Sequence, residues 1–93
     1  MNKDLEKILF NPIRLKIISF LISVDSASFN KLIEISGATK GNISVQIKKL
    51  HEAGFIKVKK KFKENYPLTL CSITSKGKKW FEIFFKELKS YDK

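Results

Sequence analysis

The sequence of 93 residues contains one cysteine, one histidine and one arginine, and each scarcity excludes a class of site. Because Cys71 has no second cysteine to pair with, the chain cannot form an internal disulfide, a zinc site of cysteine pairs or a CxxC redox motif. His51 would need carboxylates or a second chain to complete a metal site. We therefore expect neither a metal nor another cofactor.

Long apolar runs are also missing. No stretch approaches the roughly 18 apolar residues that a membrane-spanning helix requires, and the first residues lack the layout of a signal peptide. No nucleophile paired with a base and no carboxylate dyad stands out in the sequence. The sequence thus favours a cytoplasmic protein that is not an enzyme and has no membrane partner.

Acidic residues are scarce, since 9 Asp+Glu face 19 Lys+Arg and the formal net charge is +10. The excess is uneven: residues 38–63 contain eight lysines and a single acidic residue, Glu52, which gives this stretch a net charge of +7. Lysines that only solvate a surface would be spread more evenly. The pattern predicts a cationic binding face and a polyanionic partner.

The remaining composition, 43% hydrophobic and 12% aromatic, is that of a folded protein. The length predicts a single domain over residues 1–93. A chain of this size buries only about 60–65% of the surface that its unfolded form exposes. Association with a second subunit would therefore add to its stability.

The first part of the chain is predicted to be helical. Residues 1–10 have the spacing of a short amphipathic helix. Asn11 and Pro12 are typical of the cap and first position of a second helix, which reaches about Val24. Apolar residues cover more than half of its circumference, so we expect this helix to lie at the centre of the domain.

A helix-turn-helix unit is predicted next. After a loop over 25–28, Asn30 would cap a short helix that stops at Gly37. Thr39 would cap a further helix that extends to about Ala53. Two helices joined by a few residues that include glycine are typical of this unit.

The period of the pattern then changes from 3.6 to 2, which predicts a β-hairpin over residues 55–73. Its strands are 55–62 and 68–73, and the residues between them form the turn. Ile56, Val58 and Phe62 are expected on one face of the first strand, opposite most of its lysines. A last helix, capped by Thr74, would run from Ser75 to about Tyr91. The fold class is therefore mainly α with a small, two-stranded β-hairpin.

One helix has the composition of a nucleic-acid reading head. Over residues 39–53, Ile43, Ile47 and Leu50 form one apolar stripe, and the opposite face carries small, amide and lysine side chains. Asn and Gln can pair with adenine and valine can touch a thymine methyl group, while the helix N-terminus suits a phosphate. The alternative is a solvated outer face, which would usually mix acidic and basic residues.

The hairpin lysines suit a clamp on the nucleic-acid backbone. Lys59, Lys61 and Lys63 would neutralise phosphates and supply salt-dependent affinity rather than sequence choice. The alternative is an edge strand that lysines protect against aggregation. The same side chains can do both.

Three segments of the sequence resemble the winged helix-turn-helix regulators of the MarR and ArsR type. They are NPIRLKIISFL, FNKLIEISGATKGNISVQIKKLHEAGFIKV and ITSKG. The resemblance implies a three-helix core, a two-stranded wing, a C-terminal dimerisation helix and a dimer that binds DNA. With Lys48 from the helical pattern, the expected DNA contacts of the helix are Thr39, Lys40, Asn42, Ser44, Val45, Gln46, Lys48 and Lys49. The cysteine and histidine clusters of metal-sensing relatives are missing, and any small-molecule effector is unknown.

The last helix carries more aromatic surface than the core of a small domain needs. Together with the N-terminal segment, it predicts a homodimer interface. The expected interface residues are Leu5, Ile8, Leu9, Trp80, Phe81, Phe84, Phe85 and Leu88. The alternative is that these side chains only pack in the core of their own chain.

The favoured hypothesis is a homodimeric regulator of transcription that binds double-stranded DNA with sequence specificity. The alternative is a winged-helix module for protein interaction within a larger assembly, in which the lysines face an acidic partner. RNA is disfavoured because no aromatic platform on a sheet is evident.

Overall fold

A computed structural model describes residues 3–90, with side chains from residue 6 onward. Five helices and three strands follow one another in the order α1 (Lys3–Leu9), α2 (Pro12–Val24), β1 (Ser26–Ser28), α3 (Phe29–Ser36), α4 (Lys40–Glu52), β2 (Ile56–Lys63), β3 (Tyr66–Ile73) and α5 (Ser75–Ser90). The predicted class, mainly helical with a β wing, is confirmed. Within residues 3–90, no helix combines the length and apolarity needed to cross a bilayer.

Helix α2 lies at the centre of the domain, as predicted. Asn11 caps it: the Asn11 Oδ1 accepts hydrogen bonds from the backbone N–H groups of Ile13 and Arg14, both at 3.0 Å, and Pro12 occupies the first turn. Ile17 and Leu21 are fully buried. The helix contacts the other four helices and strands β1 and β3, so it supports the helix that follows the turn.

The helix-turn-helix unit consists of α3, a short turn and α4. Helix α3 begins earlier than predicted, because Ser28 caps it through a 3.1 Å bond from the N–H of Lys31. Asn30, the predicted cap, is already inside the helix. Gly37 ends α3 in the left-handed conformation with φ 69°, which favours glycine. Thr39 caps α4, as predicted.

The sheet has three strands in the order β1-β3-β2, where the sequence predicted two. Strand β1 lies in the segment predicted to be a loop and pairs antiparallel with β3, with Ser26 opposite Ser72 and Ser28 opposite Leu70. Three small, mostly polar residues have no alternating pattern to reveal a strand. These residues form a strand because they pair with the neighbouring edge of β3.

The wing turn is shorter than predicted. Strands β2 and β3 continue to the pair Lys63 and Tyr66, so only Glu64 and Asn65 form the turn, both with positive φ of 52° and 68°. Two central residues with positive φ match the twist of a hairpin. Pro67 therefore lies in β3, opposite Phe62 of β2. Strand β1 pairs only with residues 70–72 of β3, so the missing N–H of Pro67 removes no hydrogen bond between β3 and β1.

Phe62 does not lie in the core, although its position in β2 has the same alternation as Ile56 and Val58. Ile56 is buried and Val58 is half-buried, but Phe62 is 80% exposed and Tyr66 is 75% exposed. The alternating pattern continues along β2 after the strand has left the body of the domain. The pattern gives the face of a side chain but cannot show whether anything covers that face.

Helix α5 closes the core against α1 and the start of the wing. Thr74 caps it, as predicted, and its hydroxyl accepts a 2.9 Å bond from the N–H of Gly77. Gly77 is required for packing, because a Cβ there would collide with the backbone carbonyl of Phe55. Cys71 is fully buried in β3, and burial raises the pKa of its thiol to about 11.

Candidate nucleic-acid interface

Helix α4 presents one apolar face and one polar face, as its sequence predicts. Ile43, Ile47 and Leu50 are buried in the core, which fixes the rotation of the helix about its axis. The opposite face is exposed and includes Val45, a large apolar side chain that is 50% exposed. The exposed residues of this face are Lys40, Gly41, Asn42, Ser44, Val45, Lys48 and Lys49.

The N-terminus of α4 is held open toward solvent. The Thr39 hydroxyl accepts a 3.1 Å bond from the N–H of Asn42, and Thr39, Lys40 and Asn42 are all exposed. The first turn contains no acidic residue. The positive end of the helix dipole, with Lys40 beside it, favours an anionic group such as a phosphate.

Gln46 does not lie on the exposed flank of α4, where the sequence placed it. Its side chain is only 8% exposed. Its Oε1 accepts a hydrogen bond from Nη1 of Arg14, and its Nε2 donates to Oδ1 of Asn42 at 2.8 Å. Both ends of the Gln46 amide are therefore already bonded within the protein. We leave Gln46 out of the group of side chains that face the partner.

Arg14 anchors this network, and sequence reasoning gave it no role at the site. It is 7% exposed, and it also donates through Nε to the carbonyl of Ile8 and through Nη2 to the carbonyl of Lys7 at 3.0 Å. These carbonyls belong to the last turn of α1, where the negative end of the helix favours a cation. Burial lowers the pKa of the Arg14 guanidinium, which nevertheless stays charged. The available signal was an arginine, unique in the chain, inside a mainly apolar helix.

The wing supplies a second cationic surface. Lys59, Lys61 and Lys63 are exposed on β2, as are Lys57 and Lys60, which were not among the predicted contacts. An open groove separates the wing from α4. Lys40, Ser44 and Lys48 line one wall, and Lys60 and Thr69 line the other. The groove thus carries lysines on both sides.

The predicted dimer residues are placed differently from one another. Leu9 and Phe84 are 0% and 1% exposed, because the core of their own chain covers them, so they drop out of an intersubunit face. The Leu5 side chain lies outside the described side chains. The predicted residues that keep some exposure are Ile8, Trp80, Phe81, Phe85 and Leu88.

Phe10 is an exposed aromatic residue in the same region that sequence reasoning missed. It is 56% exposed and packs edge-on against the ring of Phe84, with the centroids 5.1 Å apart. Phe85 is 48% exposed and stacks on Phe81 with the centroids 6.1 Å apart. An apolar surface therefore remains beside α1 and α5 after the core is complete.

A family model described as a winged helix DNA-binding domain matches residues 13–91. An uncharacterized protein of Methanocaldococcus jannaschii is 34% identical over 82 residues, which cover 88% of this chain and 89% of that protein. The family model covers the helix-turn-helix unit, the wing and all of α5. The predicted resemblance to winged helix-turn-helix regulators is therefore confirmed.

Solved structures show the same architecture. The transcriptional regulator homologue from Pyrococcus horikoshii OT3 superposes with a TM-score of 0.86 at 32% identity, over 96% of this chain and 90% of that one. A transcriptional regulator of the MarR family from Enterococcus faecalis V583 superposes with a TM-score of 0.80 at 12% identity, over 99% of this chain and 87% of that one. At that identity, the second similarity is one of fold.

Proposed function

The chain belongs to the winged helix DNA-binding domain family, and from this premise we propose that it is a homodimeric, sequence-specific regulator of transcription that binds double-stranded DNA. One observation carries the proposal. Helix α4 has a buried apolar stripe behind an exposed face of amide, hydroxyl and lysine side chains, and a lysine-rich wing lies across a groove from it.

Helix α4 would enter the major groove with its exposed face toward the bases. Asn42 and Ser44 can hydrogen-bond to base edges, and Val45 can contact a thymine methyl group. Thr39 and the N–H groups of the first turn would hold a phosphate, while Lys40, Lys48 and Lys49 would lie against the backbone. The helix supplies both register and sequence choice in this arrangement.

The wing would contact the sugar-phosphate backbone beside the major groove. Its lysines are exposed along β2, where each can neutralise a phosphate without a fixed geometry. Lys60 and Lys48 face the groove from opposite walls, so a backbone strand that follows the groove would meet positive charge on both sides. This surface would contribute affinity that falls steeply with salt.

A second copy of the chain would cover the apolar surface beside α1 and α5. Phe10 and Phe85 are about half exposed, Phe81 stacks on Phe85, and Trp80 on the same helix is half-buried. A two-fold dimer buries such a patch against itself and sets two reading helices about one DNA turn apart. Phe85→Glu would place a charge in the interface, and we expect a monomer by light scattering. Glu82→Gln on the same helix is the control that should remain dimeric.

Selection of bound sequences from a pool of random duplexes tests the proposed function. We expect one enriched motif with two related halves, because each subunit of a two-fold dimer reads one half-site. Equal recovery of all sequences would contradict sequence specificity and leave an architectural role. Failure to bind any duplex, even at low salt, would contradict DNA binding itself.

One observation favours the alternative, a module that docks on an acidic protein. The tip of the wing carries two strongly exposed aromatic side chains, Phe62 and Tyr66, among lysines. Aromatic residues are enriched at protein interfaces, where a polar rim surrounds the buried centre. If this alternative holds, Phe62→Ala should abolish partner binding while duplex DNA is not bound at any salt concentration.

A further inference from the structure

We propose that Arg14 and Gln46 determine which base Asn42 prefers, although neither side chain reaches the DNA. They would do so by fixing which end of the Asn42 amide faces the major groove. The inference rests on the proposed function and deepens it, since it concerns the specificity of the same helix.

The direction of the hydrogen bonds follows from the chemistry of the guanidinium group. Arginine has only donors, so Gln46 must turn its Oε1 toward Nη1 of Arg14. The Nε2 of Gln46 is then on the other side, 2.8 Å from Oδ1 of Asn42. Asn42 must in turn present its oxygen to Gln46, which leaves its Nδ2 free for an outside partner. An isolated Asn–Gln pair would have no such fixed direction.

The network is held from behind. Arg14 and Gln46 are 7% and 8% exposed, and the carbonyls of Lys7 and Ile8 hold the remaining guanidinium donors. If the Gln46 amide flipped, its Nε2 would face Nη1, and a buried donor of Arg14 would lose its acceptor. An unpaired buried donor is costly, so the observed direction is strongly preferred.

The front of the network is anchored as well. The backbone N–H of Asn42 donates to the Thr39 hydroxyl, which fixes the start of the helix. The side chain of Asn42 is exposed, yet one of its two ends is tied to a buried residue. The exposed amide is thus oriented before any DNA arrives.

The consequence is a specific base preference. Pairing with adenine through two hydrogen bonds requires the oxygen and the nitrogen of the amide to face the base together. With its oxygen turned to Gln46, Asn42 acts as a donor. It should prefer guanine, whose O6 and N7 are both acceptors, or thymine O4, in the major groove. Adenine also has an N7 acceptor, but the N6 amine beside it is a donor and would face the donor of Asn42. The residue type alone pointed to adenine, and the network changes that expectation.

The first test compares sequences selected by the wild-type protein with those selected by Asn42→Ala. The position that loses its preference in the variant is the one that Asn42 reads. We expect guanine or thymine there in the wild-type motif, favoured over adenine about tenfold. Enrichment of adenine at that position would overturn the proposal, and this result needs no variant of the buried residues.

The second test reverses the network with Gln46→Glu. The introduced carboxylate can accept from Arg14, as the amide did, but it cannot donate to Asn42. Asn42 would then turn its Nδ2 inward and present its oxygen to the DNA. We expect the preference at that position to shift about tenfold toward bases with an exocyclic amine in the major groove, adenine or cytosine. A variant that melts like the wild type and keeps the original preference would refute the network.

Glu52→Gln is the control. It exchanges glutamate and glutamine in the opposite direction, at the exposed far end of the same helix. It should leave the base preference unchanged. In the free protein, Gln46→Glu should also shift the side-chain amide resonances of Asn42 in a ¹⁵N–¹H spectrum, and Glu52→Gln should not. Unmoved Asn42 resonances would overturn the network, whether or not the selection yields a motif. Failure to select any motif would contradict only the proposed function, and the resonances would still test the network.

Discussion

Helix α4 and the wing carry the same sign of charge but are supported in different ways. One side of α4 is buried through Ile43 and Leu50, and its flank is bonded to α2 through Gln46 and Arg14. The wing beyond Val58 has no such support, and Phe62 near its tip is 80% exposed. Charge alone therefore does not define the role of a surface. The support behind the charge matters equally.

The two kinds of support suit two kinds of contact. A hydrogen bond to a base edge depends on distance and angle, so it gains from a helix whose rotation is fixed. Attraction between a lysine and a phosphate acts over several ångströms and tolerates mobile side chains. We therefore expect α4 to carry sequence choice and the wing to carry affinity.

The largest expected effect is the loss of DNA affinity when the lysines of the wing are removed. Replacing Lys59, Lys61 and Lys63 together by alanine should lower duplex affinity at least about a hundredfold near 0.1 M salt, because three phosphate contacts are lost from each subunit of the dimer. The slope of log affinity against log salt should fall by about five units for the dimer. Binding measured as a function of salt checks both values.

Lys79 and Lys86 provide the matched control, since both are exposed on α5, away from the groove. Replacing both by alanine should change the slope by less than about one unit. An equal effect per lysine at the two places would show that the wing acts only through net charge.

The second expected effect concerns stability rather than binding. Leu50→Ala removes a fully buried side chain from beneath α4 and should lower the free energy of unfolding by about 3 kcal/mol. Phe62→Ala removes a larger side chain from the wing but should cost less than about 0.5 kcal/mol, because the ring is exposed. Urea denaturation of the two variants measures the contrast. Similar losses would mean that the wing tip is packed in solution.

A smaller effect is expected at the start of the reading helix. Thr39→Ala removes the acceptor for the N–H of Asn42 and should cost about 1 kcal/mol of stability. Thr39→Ser keeps the hydroxyl and should lose much less. Thermal unfolding of the two variants measures the contribution of the capping hydroxyl. Equal melting temperatures for Thr39→Ala and Thr39→Ser would contradict a capping role.

The smallest effect lies in β3, which is buried at one end and exposed at the other. The pKa of Cys71 is raised to about 11, from 9.0 in the unfolded chain, so the folded state holds its proton more tightly. The associated stability is complete below about pH 9 and is lost as pH rises toward 11. At pH 9.5 the loss should be below about 1 kcal/mol relative to Cys71→Ala. A pH series on both proteins cancels the titration of the lysines, and parallel curves would show that the thiol is not buried.

Local chemistry made much of the fold predictable. Asn11, Thr39 and Thr74 act at helix starts through bonds to neighbours two or three residues away, so the sequence contains both partners. The stripe of Ile43 and Leu50 likewise depends only on helical spacing. The resemblance to the family rested on three sequence segments, which contain several of these local signals.

The parts that sequence reasoning missed depend on distant partners. Gln46 is buried because Arg14, 32 positions earlier in α2, donates a hydrogen bond to it in α4. Strand β1 exists because β3 lies beside it, and its own three residues carry no pattern. Phe62 is exposed because β2 extends beyond the core. Each outcome is set by what lies opposite the residue in space.

The most direct test of the division of labour is to select sequences from random duplexes with the wild-type protein and with the triple wing variant, at concentrations that give equal occupancy. We expect the same enriched motif from both proteins, with the variant requiring at least about a hundredfold more protein. Loss of the motif in the wing variant, or a different motif, would show that sequence choice lies in the wing and not in α4.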